Sequence, residues 1–544
     1  MKYRIIKAID VCGLNFLSPI VRLVYGEEPN KQLKEIGRFI VVPLLAFVAF
    51  IMIWGYLAPR HTTKYGSVPT PGETWTAWNN ILAFHDRESA KYEAVIATGE
   101  GREKLLADTQ ARLEEIEEPA QQAKQGVIDA RAAEKQRKAE LVKPFQQQYD
   151  QLKAEYATGR KERQAGLKEL AEKVESNDDR QSLIDGYLAL DAWTTEQKAS
   201  QAKLKQKIKA IQDKKDAEVV AALALDTKYA EEQQFLRKMQ ELAGKNSREE
   251  VMARSEEKLA GYEQDFATAS GSSALSLAKK QVSQIRRLEK DATKTYAKPW
   301  TLPMQIVRSI CCVFTGFLIG ISIAIPLGVL CGLSKTFMAA MTPFIALFKP
   351  VSPIVWLLIL WIIVGGFFPD PNNSPFLQTL NSIVNSVLYC LPFATGIVDD
   401  LAINPAFIAS ALTVSMCSLW ATMTNTALGV ASVDPDHYNV ARVLRLGFWS
   451  RLFKIVLPSS LPLVFAGMRI SLGVGWMVLI AAELLASSEG LGKFVNDMFQ
   501  NGDTRSFAFI MAMVFVVGVI GLVLDRIMVV LQRLVSFDGG AAAI

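Results

Sequence analysis

Polar side chains recur at helical spacing inside one apolar run of the chain. Between Phe407 and Val430, the residues Ala411, Ser415, Ser418, Thr422, Asn425 and Gly429 follow one another at steps of four, three, four, three and four, which places them on one face of a helix. Two roles fit that face. Small and hydroxyl residues let helices pack closely in lipid, and hydroxyls with an amide replace water around a polar or anionic solute on its way through a membrane. Charges are scarce nearby. Arg469 and Glu483 share a later apolar run but stand about 14 residues, or about 21 Å, apart along a helix, too far to pair with each other. Arg469 near the inner end can snorkel, Glu483 near the outer end faces the bundle interior, and Asp525 sits at the inner boundary of the next run. For a small anion, Asn425 and Arg469 are the residues to test first, because a carboxylate repels it.

Other chemistries find no residues. The chain has no Gly-x-x-x-x-Gly-Lys-Ser/Thr phosphate loop, so a nucleotide cradle must come from another polypeptide. His61, His85 and His437 are the only histidines, and neither their spacing nor the cysteines around them match a metal site. Cys12, Cys311, Cys312, Cys331, Cys390 and Cys417 all lie in or beside apolar runs, where a thiol acts as a small buried hydrophobe and no disulfide framework is expected. The net charge of +5 over 544 residues is small, and the basic residues gather at membrane edges, which argues against nucleic acid as a partner.

The elements that must position these residues separate by composition. Apolar runs of spanning length cover Phe39 to Tyr56, Ile310 to Leu333, Thr342 to Gly365, Phe407 to Val430, Val464 to Ala486 and Phe507 to Leu531, which predicts an all-α, six-span polytopic membrane bundle. Lys2, Arg4, Lys7, Arg22, Lys31, Lys34 and Arg38 precede the first run, and Arg442, Arg445, Arg451 and Lys454 lie between the fourth and fifth. Both stretches are expected inside, and both termini with them. Gly366 to Phe407 has no Lys or Arg, as an outside connection should. The semi-apolar stretch Phe376 to Ile397 is read as surface-lying or re-entrant, since a seventh crossing would reverse the later loops. Before the first span, which is read as an uncleaved anchor, Ile5, Ile9, Cys12 and Phe16 recur at helical spacing and predict an interfacial elbow helix. The resulting domains are an elbow over 1–38, the first span over 39–58, an extracytoplasmic insertion over 59–298, a core over 299–535 and a tail over 536–544.

Within the insertion, Asp86 to Lys298 is rich in Ala, Glu, Lys, Gln and Leu, a composition that favours long helices. Phe145, Tyr149, Leu152 and Tyr156, then Leu204, Ile208 and Ile211, then Phe235, Met239 and Leu242 repeat fragments of a coiled-coil seam. The helices must double back, near Ser176 to Asp179 or near Gly244 to Ser247. Two lengths fit: one hairpin with arms of roughly 150 Å, or four shorter helices forming a stub of about half that.

Between the fourth and fifth spans lies "YNVARVLRLGFWSRLFKIVLPSSLPLVFAGMRIS", beginning at Tyr438. Apolar Val443, Leu446, Trp449 and Phe453 run beside basic Arg442, Arg445, Arg451 and Lys454, the make-up of a helix that docks in a partner's groove or lies in the interface. The stretch resembles the cytoplasmic loop of ABC importer permeases, whose pattern is Glu-Ala-Ala, three residues, Gly, and later a Leu-Pro step. Counting back from Leu457 and Pro458, the Glu position is held by Asn439, the two Ala positions by Val440 and Ala441, and the Gly position by Arg445. The run "SSLPLVFAGMRISLGVGWMVLIAAELLASSEGLG" narrows the resemblance to permeases for nitrate, sulfonates, taurine and bicarbonate. The segments "SICCVFTGFLIGISIAIPLGVLCGLS" and "FKPVSPIVWLLILWIIVG" extend it over most of Trp300 to Leu534.

That resemblance implies a permease, not an enzyme, in a bacterial inner membrane. It implies a second permease chain, in a homodimer or heterodimer, cytoplasmic ATPases that carry the ATP and magnesium, and a periplasmic solute-binding protein. It implies that residues 434–462 form the ATPase-coupling loop, with Asn439, Ala441, Arg442, Arg445, Leu446, Trp449, Phe453, Leu457 and Pro458 as its contacts. Arg445 in place of Gly needs space or an acidic partner, which calls for a dedicated ATPase with a matching surface. Ser415, Ser418, Thr422, Asn425 and Arg469 become the candidate translocation path. The insertion departs from the family pattern. It leaves a second reading, a membrane tether or regulatory scaffold in which the helical arm recruits an envelope partner.

Overall fold

A computed structural model describes residues 6, 9, 15–63, 66–174, 177–214, 216–371, 374–389, 403–486, 488–502 and 504–535. Ile5, Cys12, Cys390, the stretch through Ile397 and the tail over 536–544 lie outside them. The chain divides into two compact units, Met1–Glu88 with Lys298–Ile544, and Ser89–Ala297.

In the first unit, short helices α1 (Ser18–Val24) and α2 (Pro29–Ile36) lead through a π-turn into α3 (Val42–Leu57). Pro29–Arg60 is long and apolar enough to cross a membrane, and no residue of its apolar stretch is fully buried. Its side chains suit lipid on all sides. Trp54 is its anchor, donating from Nε1 to the Pro69 carbonyl at 3.0 Å and stacking on Phe515 with ring centroids 5.7 Å apart. A two-residue hairpin, β1 (Thr62–Thr63) with β2 (Gly66–Ser67), precedes α4 (Pro71–Ile96).

His85 of α4 meets Thr301 Oγ1 at 2.7 Å. Burial, reinforced by Lys298, lowers the pKa of this imidazole below its ordinary 6.5. The unfolded chain then binds the proton more readily than the folded one, so stability falls as pH drops below 6.5. Backbone amides just after Thr301 are expected to lose hydrogen-exchange protection on acidification to pH 5.5, and a His85→Gln variant should show no such pH dependence.

Among its described residues the regular elements of the second unit are all helices. A 74-residue helix, α5 (Gly99–Glu172), is followed by α6 (Asn177–Asp213), α7 (Ala217–Ala243), α8 (Arg248–Thr268) and α9 (Ser272–Ala292). At 1.5 Å per residue α5 is about 110 Å long. Helices α6 and α7 return along it in turn, as the contacts Leu152 to Gln201, Glu134 to Asp216 and Gln110 to Gln240 show. Phe145, Tyr149, Leu152 and Tyr156 are half-buried, Ile208 and Met239 buried. Tyr156 stacks on Trp193, which Arg163 covers on a face. Neither expected length is what forms. The reversal near the first anticipated point is seen in α6 running back along α5, the chain turns between α7 and α8 at Gly244 to Ser247, and α8 and α9 pair as a short hairpin across Ser255 and Gln284. Ser247 caps α8 by accepting from the Glu250 amide.

The membrane bundle is built on α10 (Leu302–Leu333), α14 (Pro405–Ala431), α17 (Leu457–Ala486) and α19 (Thr504–Val535). Val313, Phe317, Val414, Leu472, Leu479 and Met513 form its core. The expected third span, Thr342 to Gly365, is not one helix. It consists of α11 (Lys335–Phe348) and α12 (Pro353–Phe367), bent by 96° at the break between them. Pro350 and Pro353 cause this, since each lacks an amide donor and Pro353 opens α12. Among the described residues five continuous helices reach spanning length, or six if the bent pair counts as one. The connecting stretch contains α13 (Pro375–Tyr389) among its described residues, and the expectation for Phe376 to Ile397 falls partly outside them.

Candidate coupling surface and polar track

After α14, Asp434 caps α15 (Pro435–Val443) by accepting from the Asp436 amide at 2.9 Å. The chain then turns into α16 (Phe448–Arg451), a π-turn over Leu452–Val456, and α17. Pro458 cannot donate to the Lys454 carbonyl, which accounts for the widened turn just before it. Ala441 is fully buried. Tyr438, Leu452 and Leu457 pack on Val329, Val430, Val433 and Val456 beneath it. The other side is exposed: Val443, Trp449 and Phe453, with Leu444 and Phe448 beside them. Trp449 stacks on Phe453 at 6.0 Å and meets the edge of Phe448 at 5.5 Å. Leu446 and Arg451 are half-buried, whereas Asn439, Arg442, Arg445 and Lys454 are exposed. Phe448 and Leu444 fall outside the expected apolar run because Leu444 closes α15 and Phe448 opens α16 across the turn between them.

Arg445 has φ +46°, in the left-handed region. Its amide donates to the Arg442 carbonyl and the Leu446 amide to the Ala441 carbonyl, both at 3.0 Å, a left-handed helix ending that ordinarily takes glycine. The backbone keeps the turn although the residue has changed, at a cost of about 1 kcal/mol for a residue with a Cβ. Arg445→Gly is therefore expected to stabilise the turn by about 1 kcal/mol, seen as slower hydrogen exchange at the Leu446 amide.

The stripe on α14 is buried. Ser415, Ser418 and Thr422 lie against α10 and α17. Thr422 and Ser471 hydroxyls meet at 2.7 Å, the Thr422 amide donates to Ser471 Oγ, and Ser471 donates to the Ser418 carbonyl. Asn425 turns back to the Ala421 carbonyl at 2.8 Å, and its Cβ faces Gly467. The small-residue pairs Gly316 with Gly320 and Gly328 with Gly332 bring α10 onto Val414, Ser415, Ser418, Thr426 and Val430. Within this chain the stripe is thus a close helix contact.

Arg469 lies apart from that stripe, on the far side of α17. It grips Asp525 of α19 through two bonds, Nε to Oδ1 at 2.6 Å and Nη2 to Oδ2 at 2.9 Å. Glu483 is fully buried with partners of its own. It accepts from Ser309 Oγ at 2.7 and 2.8 Å and from the Gly492 amide at 3.1 Å, while Ser309 accepts from the Leu491 amide. These bonds seat the start of α18 (Leu491–Asn501). Arg308 lies over Trp300 and Phe407 and donates to Asn404, which caps α14. Among the described residues no cluster of His, Cys, Asp or Glu has the make-up of a metal site, and Cys311, Cys312, Cys331 and Cys417 are free thiols.

Residues 324–537 match the family of binding-protein-dependent transport system inner membrane components. The chain is 32% identical over 235 residues to the nitrate import permease protein NrtB of Synechococcus elongatus, covering 43% of this chain and 70% of that protein. It belongs to this family of permeases. The bicarbonate transport system permease protein CmpB of the same organism is 30% identical over 230 residues, 42% of this chain and 68% of that one. The taurine transport system permease protein TauC of Escherichia coli is 28% identical over 234 residues, 43% and 68%. The permease is thus a multi-pass inner membrane component of an ABC importer. It works with a solute-binding protein and a separate ATPase subunit that hydrolyses ATP. A tether built on the permease core is not favoured.

Proposed function

We propose that this permease moves a small solute carrying an anionic group, of the nitrate, bicarbonate, sulfonate or taurine kind, and that residues 438–462 couple it to the ATPase. Both termini and this loop lie in the cytoplasm, and residues 59–298 in the periplasm. A second copy of the chain completes the path, with ATP and magnesium held by the partner ATPase. Arg469 takes part in the path directly, whereas Ser415, Ser418, Thr422 and Asn425 shape it through packing. The long hairpin of the insertion meets an envelope partner or the solute-binding protein.

The observation that carries the coupling is the exposed aromatic cluster of Phe448, Trp449 and Phe453, flanked by Arg442, Arg445 and Lys454. Exposed aromatics beside arginine are the usual anchors of a protein interface. Replacing Trp449 and Phe453 together by Ala should weaken ATPase association more than tenfold, about 2 kcal/mol for losing an aromatic anchor, with the melting temperature unchanged. Arg445→Glu should do the same if the facing surface is acidic. Undiminished recovery of the ATPase on affinity-tagged permease from the first variant would refute the assignment.

A further inference from the structure

The two charge arrangements in the spanning helices differ in what they leave open. Glu483 is sealed by Ser309 and Gly492 and is 1% exposed. The Arg469 and Asp525 side chains remain 43% and 39% exposed although both lie within spanning helices. They border a groove of about 590 Å³, whose other walls include Ala466, Ile470, Gly473 and Gln532. An ion pair on an open groove along membrane-spanning helices is where a solute can reach both charges, whereas a sealed one only braces the fold.

The chemistry of the pair selects its ligand. Two bonds to Asp525 occupy Nε and one Nη2 hydrogen of Arg469, leaving the Nη1 hydrogens and carboxylate lone pairs for other groups. The pair has no net charge. A simple anion approaching it meets the guanidinium and the carboxylate side by side, so attraction and repulsion largely cancel. A molecule with an acid group and an ammonium group on a short linker escapes that cancellation. Laid antiparallel, it places four charges in alternation and leaves the cluster neutral, which suits a low-dielectric setting. The walls fit the linker, since they are apolar around Gly473, where a Cβ would meet nothing within 4 Å.

We infer that Arg469 and Asp525 together form a solute-recognition pair for a small zwitterion, the acid group resting on Arg469 and the ammonium group on Asp525. The assignment rests on the permease reading and narrows its solute class. Equilibrium dialysis with the full-length permease in lipid nanodiscs tests it, using 2-aminoethanesulfonate, ethanesulfonate and nitrate as probes. The first should bind at least tenfold more tightly than the other two. Asp525→Asn should erase that preference while sparing ethanesulfonate, and Arg469→Gln should abolish binding of both sulfonates. Equal or tighter binding of nitrate or ethanesulfonate to the unaltered chain overturns the zwitterion, and this ranking decides the matter even if the variants fail to fold. So does a preference that survives in Asp525→Asn, or binding of no probe at all. The coupling assignment of residues 438–462 falls separately, on unchanged ATPase recovery by the Trp449 and Phe453 variant, so the two failures are distinguishable.

Discussion

Glu483→Ala is expected to cost the bundle about 3 kcal/mol or more, because it strands a buried hydroxyl and a buried amide. The carboxylate accepts from Ser309 Oγ and the Gly492 amide, and it is only 1% exposed. Gly490 and Gly492 are small for the same reason, as a Cβ at either would strike the Glu483 side chain. Glu483→Gln should fall between the two, since its amide accepts one of the bonds and turns an N–H toward the other. Ser309→Ala should cost less than Glu483→Ala, and the double variant little more than Glu483→Ala alone, because the groups form one network. Thermal unfolding of the detergent-solubilised chain is the measurement. A melting temperature for Glu483→Ala within experimental error of the unaltered protein would remove the network from the account of stability.

The second large effect belongs to Gly316. A Cβ there would stand 2.8 Å from Val414 Cβ and 2.9 Å from its Cγ1, closer than carbon atoms approach without displacement. Gly316→Ala should therefore cost about 1–3 kcal/mol by overpacking, and Gly316→Leu should leave no folded, monodisperse bundle on size exclusion. Gly366→Ala is the control. Nothing lies within 4 Å of a Cβ at that position, so its yield and melting should match the unaltered chain. Equal tolerance at both positions would mean that α10 and α14 do not meet as closely as described.

These two sites differ in how far the sequence announced them. The Gly316 contact was legible, because four-residue spacing of glycine in an apolar run has one common physical use. The partner of Glu483 was not, because Ser309 lies far away in the chain and nothing in either local sequence records the meeting. Arg469 and Asp525 stood out singly as charges in apolar runs, but their pairing depends on how α17 and α19 rotate. Hydropathy merged α11 and α12 into one span, since averaging over a window sees composition and overlooks two prolines that redirect the backbone. The seams of the insertion were readable from their apolar steps, whereas its lengths were set by where Gly, Ser and Asp interrupt them. The left-handed Arg445 shows the reverse case, a backbone conformation visible through the family pattern although its usual residue is absent.

The base of the insertion has a consequence for how such a chain can come to exist. Ala94, Val95, Met239, Leu242 and Ala243 form a small core, and Ala90 and Tyr296, near the two ends of the unit, both pack against it. The unit therefore receives and returns the chain at one clasp. Closing a flexible loop of some two hundred residues costs entropy that grows only as the logarithm of its length, and a clasped unit spares the first and second spans even that. The arm behaves as a cassette, open to lengthening, trimming or exchange by recombination without a renegotiation of the transport core.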